Sequence, residues 1–267
     1  MVQLEFDMNI SMHSLKILAI FAHPDDETVF LGGTLAYLAA EGAQVHYLCA
    51  TRGEGGEMGD PPVCERAELG QVREKELACA VRALGGQSLF FLGFEDPLVG
   101  PEGELFPFSD RLEDVVRQLK GHLDRIQPDV ILTHGPEGEY GHPAHVQVHQ
   151  AVMETLRDQT TLPRAVYSPA WLSRETGEFT PAPGMVVDIS PWIGQKIAAV
   201  TCHKSQHGLF FRHGAARAGR PVTIPEMVRS REALCRIMTQ EENAGDPLED
   251  LLRPLVLSLP EVSPSER

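Results

Sequence analysis

The chain is short of cysteine, of long apolar runs and of positive charge, and each shortage removes a class of protein. Five cysteines occur in 267 residues (Cys49, Cys64, Cys79, Cys202 and Cys235). Their number is odd, their spacing is scattered and no two form a CxxC pair, which argues against a disulfide framework and against a thiolate zinc site and fits a reducing cytoplasm best. The N-terminal apolar run over residues 15–22 falls far short of the ~20 residues that span a bilayer. The charged cluster behind it is no signal-peptidase site, so neither export nor a membrane anchor is expected. Lys and Arg number 23 against 38 Asp and Glu, a net charge of −15. Nucleic-acid surfaces need clustered Lys and Arg to neutralise phosphates, so nucleic acid is a poor partner.

What is there is ordinary for a folded soluble chain: 42% hydrophobic and 23% charged residues. The length supports one sizeable domain with its own core, and we read residues 1–267 as one. Residues 1–14 hold three possible start methionines and are given no function. Residues 15–21 read as a strand, 32–43 as a helix and 44–51 as a strand. The alternation continues with a helix at 63–84, a strand at 88–92, a helix at 110–126 and a strand at 129–133. A helix at 143–157 opens with Pro143, which suits a first helical turn. Strand-like pieces follow at 165–167 and 185–189, then a helix at 191–204. Residues 205–222, rich in Gly, Arg and His, read as a loop, and 225–240 as a further helix. The acidic stretch 241–250 and the final PEVSPSER read as surface or frayed tail. Strands alternating with helices predict an α/β fold, a three-layer Rossmann-like sandwich with a mostly parallel sheet between helices. In such sheets sites gather beyond the carboxyl ends of the strands, where the polar clusters of this chain fall.

The first cluster is AHPDDE at residues 22–27, at the end of the first strand. An imidazole and a carboxylate three residues apart, His23 and Asp26, reach one zinc ion from a single turn and leave Asp25 free to take a proton from water. Helix capping alone would account for Glu27 with Thr28, but not for all four polar residues together. The second cluster is YGHPAH at residues 140–145, after the fourth strand and at a helix start. One of its two histidines completes a three-ligand site while the other faces substrate; His149, one turn beyond His145, is a weaker alternative ligand. The loop RGEGGEMGD at 52–60 is glycine-rich, but it follows the second strand and lacks the GxGxxG register, so it reads as a substrate-side loop rather than a dinucleotide fingerprint.

Together with TRGE at residues 51–54 and HKSQ at 203–206, these clusters resemble the PIG-L or LmbE-like de-N-acetylases over roughly residues 17–206. The segment of about 207–267 lies outside the resemblance. The resemblance implies a zinc-dependent hydrolase that removes the N-acetyl group from an N-acetylglucosamine conjugate, with iron(II) as the alternative metal. His23, Asp26 and His145 match the family's zinc ligands, Asp25 its general base and His142 the residue that stabilises the oxyanion or acts as general acid. Arg52 matches a substrate-contacting arginine, and Tyr140 a mobile tyrosine that polarises the carbonyl. One departure stands out: many members read HPDH where this chain has Ala144, so His142 loses the carboxylate that would raise its pKa, with Glu137 and Glu139 the nearest substitutes. The partner implied is a small N-acetylated amino-sugar conjugate, and the sequence leaves the oligomeric state open, a homo-oligomer included. The competing readings are a metal-dependent amidase acting on a non-sugar N-acyl compound and a sugar-conjugate binding protein with impaired catalysis.

Overall fold

In the computed structural model, residues 15–172, 178–239 and 245–257 are described. The chain runs through β1 (Lys16–Phe21), α1 (Asp26–Ala40), β2 (Gln44–Thr51), α2 (Leu69–Ala83), β3 (Ser88–Phe94), α3 (Leu112–Ile126) and β4 (Val130–Thr133). It continues through the single turn α4 (Gly138–Gly141), α5 (Pro143–Arg157), β5 (Ala165–Pro169), β6 (Trp171–Leu172), β7 (Phe179–Thr180) and β8 (Met185–Asp188). The last elements are α6 (Ile193–Cys202), α7 (His207–Ala218), α8 (Ile224–Met227), β9 (Arg231–Thr239) and α9 (Pro247–Leu252).

Strand residues point alternately to opposite faces, so an unbroken apolar strand needs cover on both sides. β1 shows this directly. Ile17, Ala19 and Phe21 enter a core made with α1, α2, α6 and α9, whereas Leu18 and Ile20 enter a second core made with α3 and α5. Between these layers lies a seven-stranded sheet of order β3-β2-β1-β4-β5-β9-β8. β3, β2, β1, β4 and β5 are mutually parallel, and β9 runs antiparallel to both β5 and β8. The α/β, mostly parallel architecture expected from the sequence is thus the one observed. The order of connection reverses between β1 and β4, which opens a crevice beyond their carboxyl ends.

Four expectations are corrected. The stretch 205–222 is not a loop: it carries α7, which ends at Gly219 in the left-handed conformation (φ 68°). Its Gly214 is a packing residue, since a Cβ there would lie 2.6 Å from Val222 of the segment leading into α8. Residues 225–240 do not form one helix; after the short α8 they become β9, where pairing with two strands overrides the helical propensity of Glu, Ala, Leu and Met. The acidic C-terminal stretch contains α9, capped by the Asp246 side chain and anchored by buried Leu248 and Leu252. Finally, a disulfide joins Cys79 on α2 to Cys202 at the end of α6, 123 residues apart. Only the side-by-side packing of these helices brings the two sulfurs together, and the bond removes cysteine usage as an argument for a reducing compartment. Residues 1–14, 240–244 and the PEVSPSER tail lie outside the described residues. Among the described residues no helix is long and apolar enough to cross a membrane.

Candidate metal centre

The loops after β1 and β4 face each other across the crevice. The first turns sharply at Asp25, whose φ of 125° is a conformation that costs a non-glycine residue on the order of 1–3 kcal/mol. The turn is pinned from two sides. The His23 N–H donates to Asp26 Oδ2 (2.8 Å), and Arg73, buried on α2, donates to the carbonyls of Pro24 (2.6 Å) and Gly53 (2.9 Å) while its guanidinium lies 3.4 Å from Asp25 Oδ2.

The second loop holds two neighbouring histidines. His134, at the end of β4, and His145, in the first turn of α5, stack with ring centroids 3.8 Å apart. Glu139 lies beneath them with φ 60°, and its Oε2 accepts from Nδ1 of both rings at 2.8 Å while Oε1 accepts from Gly135 N–H. Asp26 reaches across the crevice to lie 3.3 Å from His145 Nε2 and 3.4 Å from His134 Nε2.

The hydrogen bonds set the ring tautomers and so decide which nitrogens can bind a cation. His134 Nε2 accepts from Ala22 N–H (3.0 Å) and its Nδ1 serves Glu139, so neither nitrogen has a free lone pair. His142, at the N-cap of α5, accepts the Ala144 N–H on Nδ1 (3.2 Å); its Nε2 therefore carries the proton and can donate but not ligate. His145 spends Nδ1–H on Glu139, which leaves Nε2 a buried lone pair with no hydrogen-bond partner among the described residues. His23 Nε2 faces Asp96 Oδ1 (3.3 Å), and its Nδ1 faces Asp26 Oδ2 (3.3 Å). Candidate donor atoms cluster within 4.8 Å of one another in two sets, His23 with His142 and His145, and Asp26 with His134 and His145. His145, common to both sets, keeps a free lone pair on Nε2; Asp26 Oδ1 lies 3.3 Å from it, and His23 Nδ1 lies 3.3 Å from Asp26 Oδ2, so these two are the candidate donors beside it. Two imidazoles and a carboxylate, with His145 Nε2 a buried orphan among them, suit a divalent cation such as zinc or iron(II).

The electrostatics follow from this crowding. Burial opposes the charged form of His23, but Asp26 and Asp96 outweigh it and hold its pKa up at about 9. Burial raises the carboxyl of Asp25 to about 6 against the opposing pull of Arg73. Asp26 is also desolvated, yet His145, His134 and His23 hold it well below the carboxylate range. His142 is pushed down to about 3 by burial and by the neighbouring His23 and His145, so it is neutral near pH 7.

The remaining sequence candidates are distributed around this centre. The Tyr140 ring is exposed and rests near His142 and His145, with centroids 5.9 and 5.3 Å away. Arg52 is tied to Glu74 (2.5 Å) and lies over Phe91, so protein partners already engage its guanidinium. His149 donates from Nδ1 to the His134 carbonyl and belongs to neither donor set. Glu139, one of the substitutes considered for the missing Asp at position 144, orients His145 and His134 instead, and Ala144 is buried in the core against α3. His203 packs against Thr28 Oγ1 (3.3 Å), and Ser205 and Gln206 bind Glu76 and the Glu57 carbonyl, so the HKSQ segment braces the loop after β2. The glycines of that loop are packing residues: a Cβ at Gly55 would lie 1.9 Å from the Pro97 carbonyl oxygen. His134, Arg73 and Asp96 escaped sequence reasoning because each stands alone outside any cluster, and only the fold carries them to the crevice.

Residues 18–156, just over half of the chain, match the family model described as PIG-L: GlcNAc-PI de-N-acetylase. The chain is 34% identical over 164 residues to a 1D-myo-inositol 2-acetamido-2-deoxy-alpha-D-glucopyranoside deacetylase from Corynebacterium diphtheriae, covering 57% of this chain and 56% of that one. It spans about half the length of the curated relatives that it matches. Among solved structures it resembles the N,N'-diacetylchitobiose deacetylase of Pyrococcus horikoshii, with a TM-score of 0.61, 21% identity and 83% of each chain covered. It equally resembles GalB, the 4-carboxy-2-hydroxymuconate hydratase of Pseudomonas putida KT2440, with a TM-score of 0.61, 19% identity and coverage of 87% of this chain and all of that one. At these identities the structural likeness shows the fold alone.

Proposed function

The chain belongs to the PIG-L family of de-N-acetylases, and we propose that it is a metal-dependent hydrolase that removes the N-acetyl group from an N-acetylglucosamine conjugate, releasing acetate and a free amine. The fold cannot carry this reading, because a hydratase shares it; the site must. The observation that carries it is the pairing of a free, buried His145 Nε2 with Asp26 and His23, directly beside the strained Asp25. We read the whole chain as one deacetylase domain.

His23, Asp26 and His145 would hold the cation, zinc by preference, which supplies Lewis-acid polarisation of the amide carbonyl and lowers the pKa of water. Asp25 adjoins the ligand Asp26 without itself being needed as a ligand, and acts as the general base that takes a proton from the attacking water. Arg73 holds the Asp25 carboxylate and, through Pro24 and Gly53, the loop that presents it. His142 is neutral with its proton on Nε2, so it donates a hydrogen bond to the oxygen on which negative charge develops. The proton held by Asp25 is then available for the leaving amine. Tyr140, whose exposed ring lies beside His142 and His145, would polarise the same carbonyl oxygen through its phenol. Arg52 contacts the sugar only if it leaves Glu74, so it is the weakest member of the set.

The test is acetate release from a panel of N-acetylglucosamine conjugates by zinc-loaded protein, with N-acyl amino acids as non-sugar controls. Release from the sugar conjugates supports the proposal. Release from the amino acids alone would assign the site to a general amidase.

A further inference from the structure

The HKSQ cluster at residues 203–206 takes no part in the reaction above, although His203 and Ser205 are wholly buried. A polar side chain leaves water at little cost only where protein groups replace its hydration. His203 meets this condition through one ring nitrogen. Its Nε2 lies 3.3 Å from Thr28 Oγ1 and 3.8 Å from Glu27 Oε1, while its Nδ1 has no hydrogen-bond partner among the described residues. Thr28 Oγ1 spends its own proton on Glu27 Oε1 (2.5 Å), so the hydroxyl offers His203 a lone pair and the proton between them sits on Nε2. His203 thus donates to a Thr–Glu pair in the first turn of α1, next to the metal ligand Asp26.

Glu27, also buried, extends this contact to the base. Its second oxygen, Oε2, accepts the Asp25 N–H at 3.3 Å. The Pro24–Asp25 peptide is therefore gripped at both ends, its carbonyl oxygen by Arg73 at 2.6 Å and its N–H by Glu27. The orientation of that peptide plane sets φ of Asp25, and 125° persists only where the surroundings over-determine it. The far end of the chain of contacts is equally fixed. His203 follows Cys202, which is bonded to Cys79 of α2, and precedes Ser205, whose N–H and hydroxyl donate to buried Glu76 of α2 at 2.8 and 2.6 Å. Arg73, Glu76 and Cys79 follow one another at three-residue steps along α2, so one helix anchors both grips on the peptide. Residue 203 lies beyond the 18–156 stretch of the family match.

We propose that His203 is a positioning residue for Asp25: through Thr28 and Glu27 it holds the Asp25 N–H, and with it the orientation of the carboxylate that serves as base. This deepens the deacetylase reading and rests on it for the role of Asp25.

The experiment compares His203→Leu, which keeps much of the ring's bulk without a donor, with His203→Gln, whose side-chain amide can donate from the place of Nε2. Leu also deletes the unpartnered Nδ1, so both variants should fold, which circular dichroism checks. With zinc bound, kcat of His203→Leu on methyl N-acetylglucosaminide should fall by roughly 10- to 100-fold at unchanged KM, and His203→Gln should recover most of it. Hydrogen–deuterium exchange across residues 22–29 should be faster in His203→Leu than in wild type or His203→Gln. A kcat of His203→Leu within twofold of wild type overturns the proposal. So does an equal loss in both variants, which would assign the ring to packing. The exchange measurement needs no turnover and separates the two readings. If wild type releases no acetate, the deacetylase reading falls; faster exchange in His203→Leu alone then keeps His203 as the holder of the turn, and equal exchange in the two variants rejects it.

Discussion

Glu139 Oε2 lies 2.8 Å from Nδ1 of His145 and fixes which nitrogen of that ring faces Asp26. The same oxygen holds His134, and Glu139 adopts a left-handed backbone to reach both. A carboxylate behind a metal-binding imidazole sets its tautomer and raises its basicity. Burial works against ionisation of Glu139, but the two histidines outweigh it and bring its pKa down to about 2, so the carboxylate is charged at any working pH.

Replacing Glu139 with Gln removes that charge and turns one of its two acceptor oxygens into a donor amide. Zinc affinity, measured by competition with a chromogenic chelator, should fall by about 10- to 100-fold, with the circular dichroism spectrum unchanged. Unaltered affinity would show that Glu139 does not prepare His145.

Arg73 is bound to Pro24, Gly53 and Asp25 at once, a fork that one ammonium cannot reproduce. Arg73→Lys should lower kcat by on the order of 100-fold through misplacement of Asp25, while zinc still binds. A kcat within twofold of wild type would remove Arg73 from the account.

Lys196 and Glu232 form a buried ion pair at 2.6 Å. Glu232→Ala leaves the ammonium uncompensated and orphans the Gly33 and Thr34 donors, so urea unfolding should show a loss of about 3–5 kcal/mol. The Lys196→Met/Glu232→Ala double variant should lose less than the Lys196→Met and Glu232→Ala changes added together.

The Cys79–Cys202 bond closes a loop of more than a hundred residues. Thiol titration of the denatured, unreduced protein should count Cys49, Cys64 and Cys235 and no others. Reduction should lower the unfolding free energy by about 4 kcal/mol, and five reactive thiols before reduction would contradict the bond.

The sheet and the two polar clusters of the candidate centre were legible in the sequence for the same reason: each is contiguous in the chain. The apolar run of β1 and the clusters at residues 22–27 and 140–145 each hold their information within one turn or strand. What stayed hidden depends on residues far apart. The β9 strand reads as helix until β5 and β8 pair with it, and Cys79 finds Cys202 only because α2 packs on α6. The Gly- and Arg-rich stretch that became α7 reads as a loop because Gly214 signals flexibility in sequence and close packing in space. Of the carboxylates near His142 in the chain, Glu139 was in view as a substitute for the missing Asp at position 144, but the fold gives it to His145.

The central claim is that Asp25, beside a cation held by His23, Asp26 and His145, drives hydrolysis of a sugar N-acetyl group. The most direct measurement is acetate released from methyl N-acetylglucosaminide by zinc-loaded wild type, by wild type stripped with chelator, and by zinc-loaded Asp25→Ala that retains one zinc per chain. The account predicts release only from the first. Equal release from the Asp25→Ala protein would contradict it.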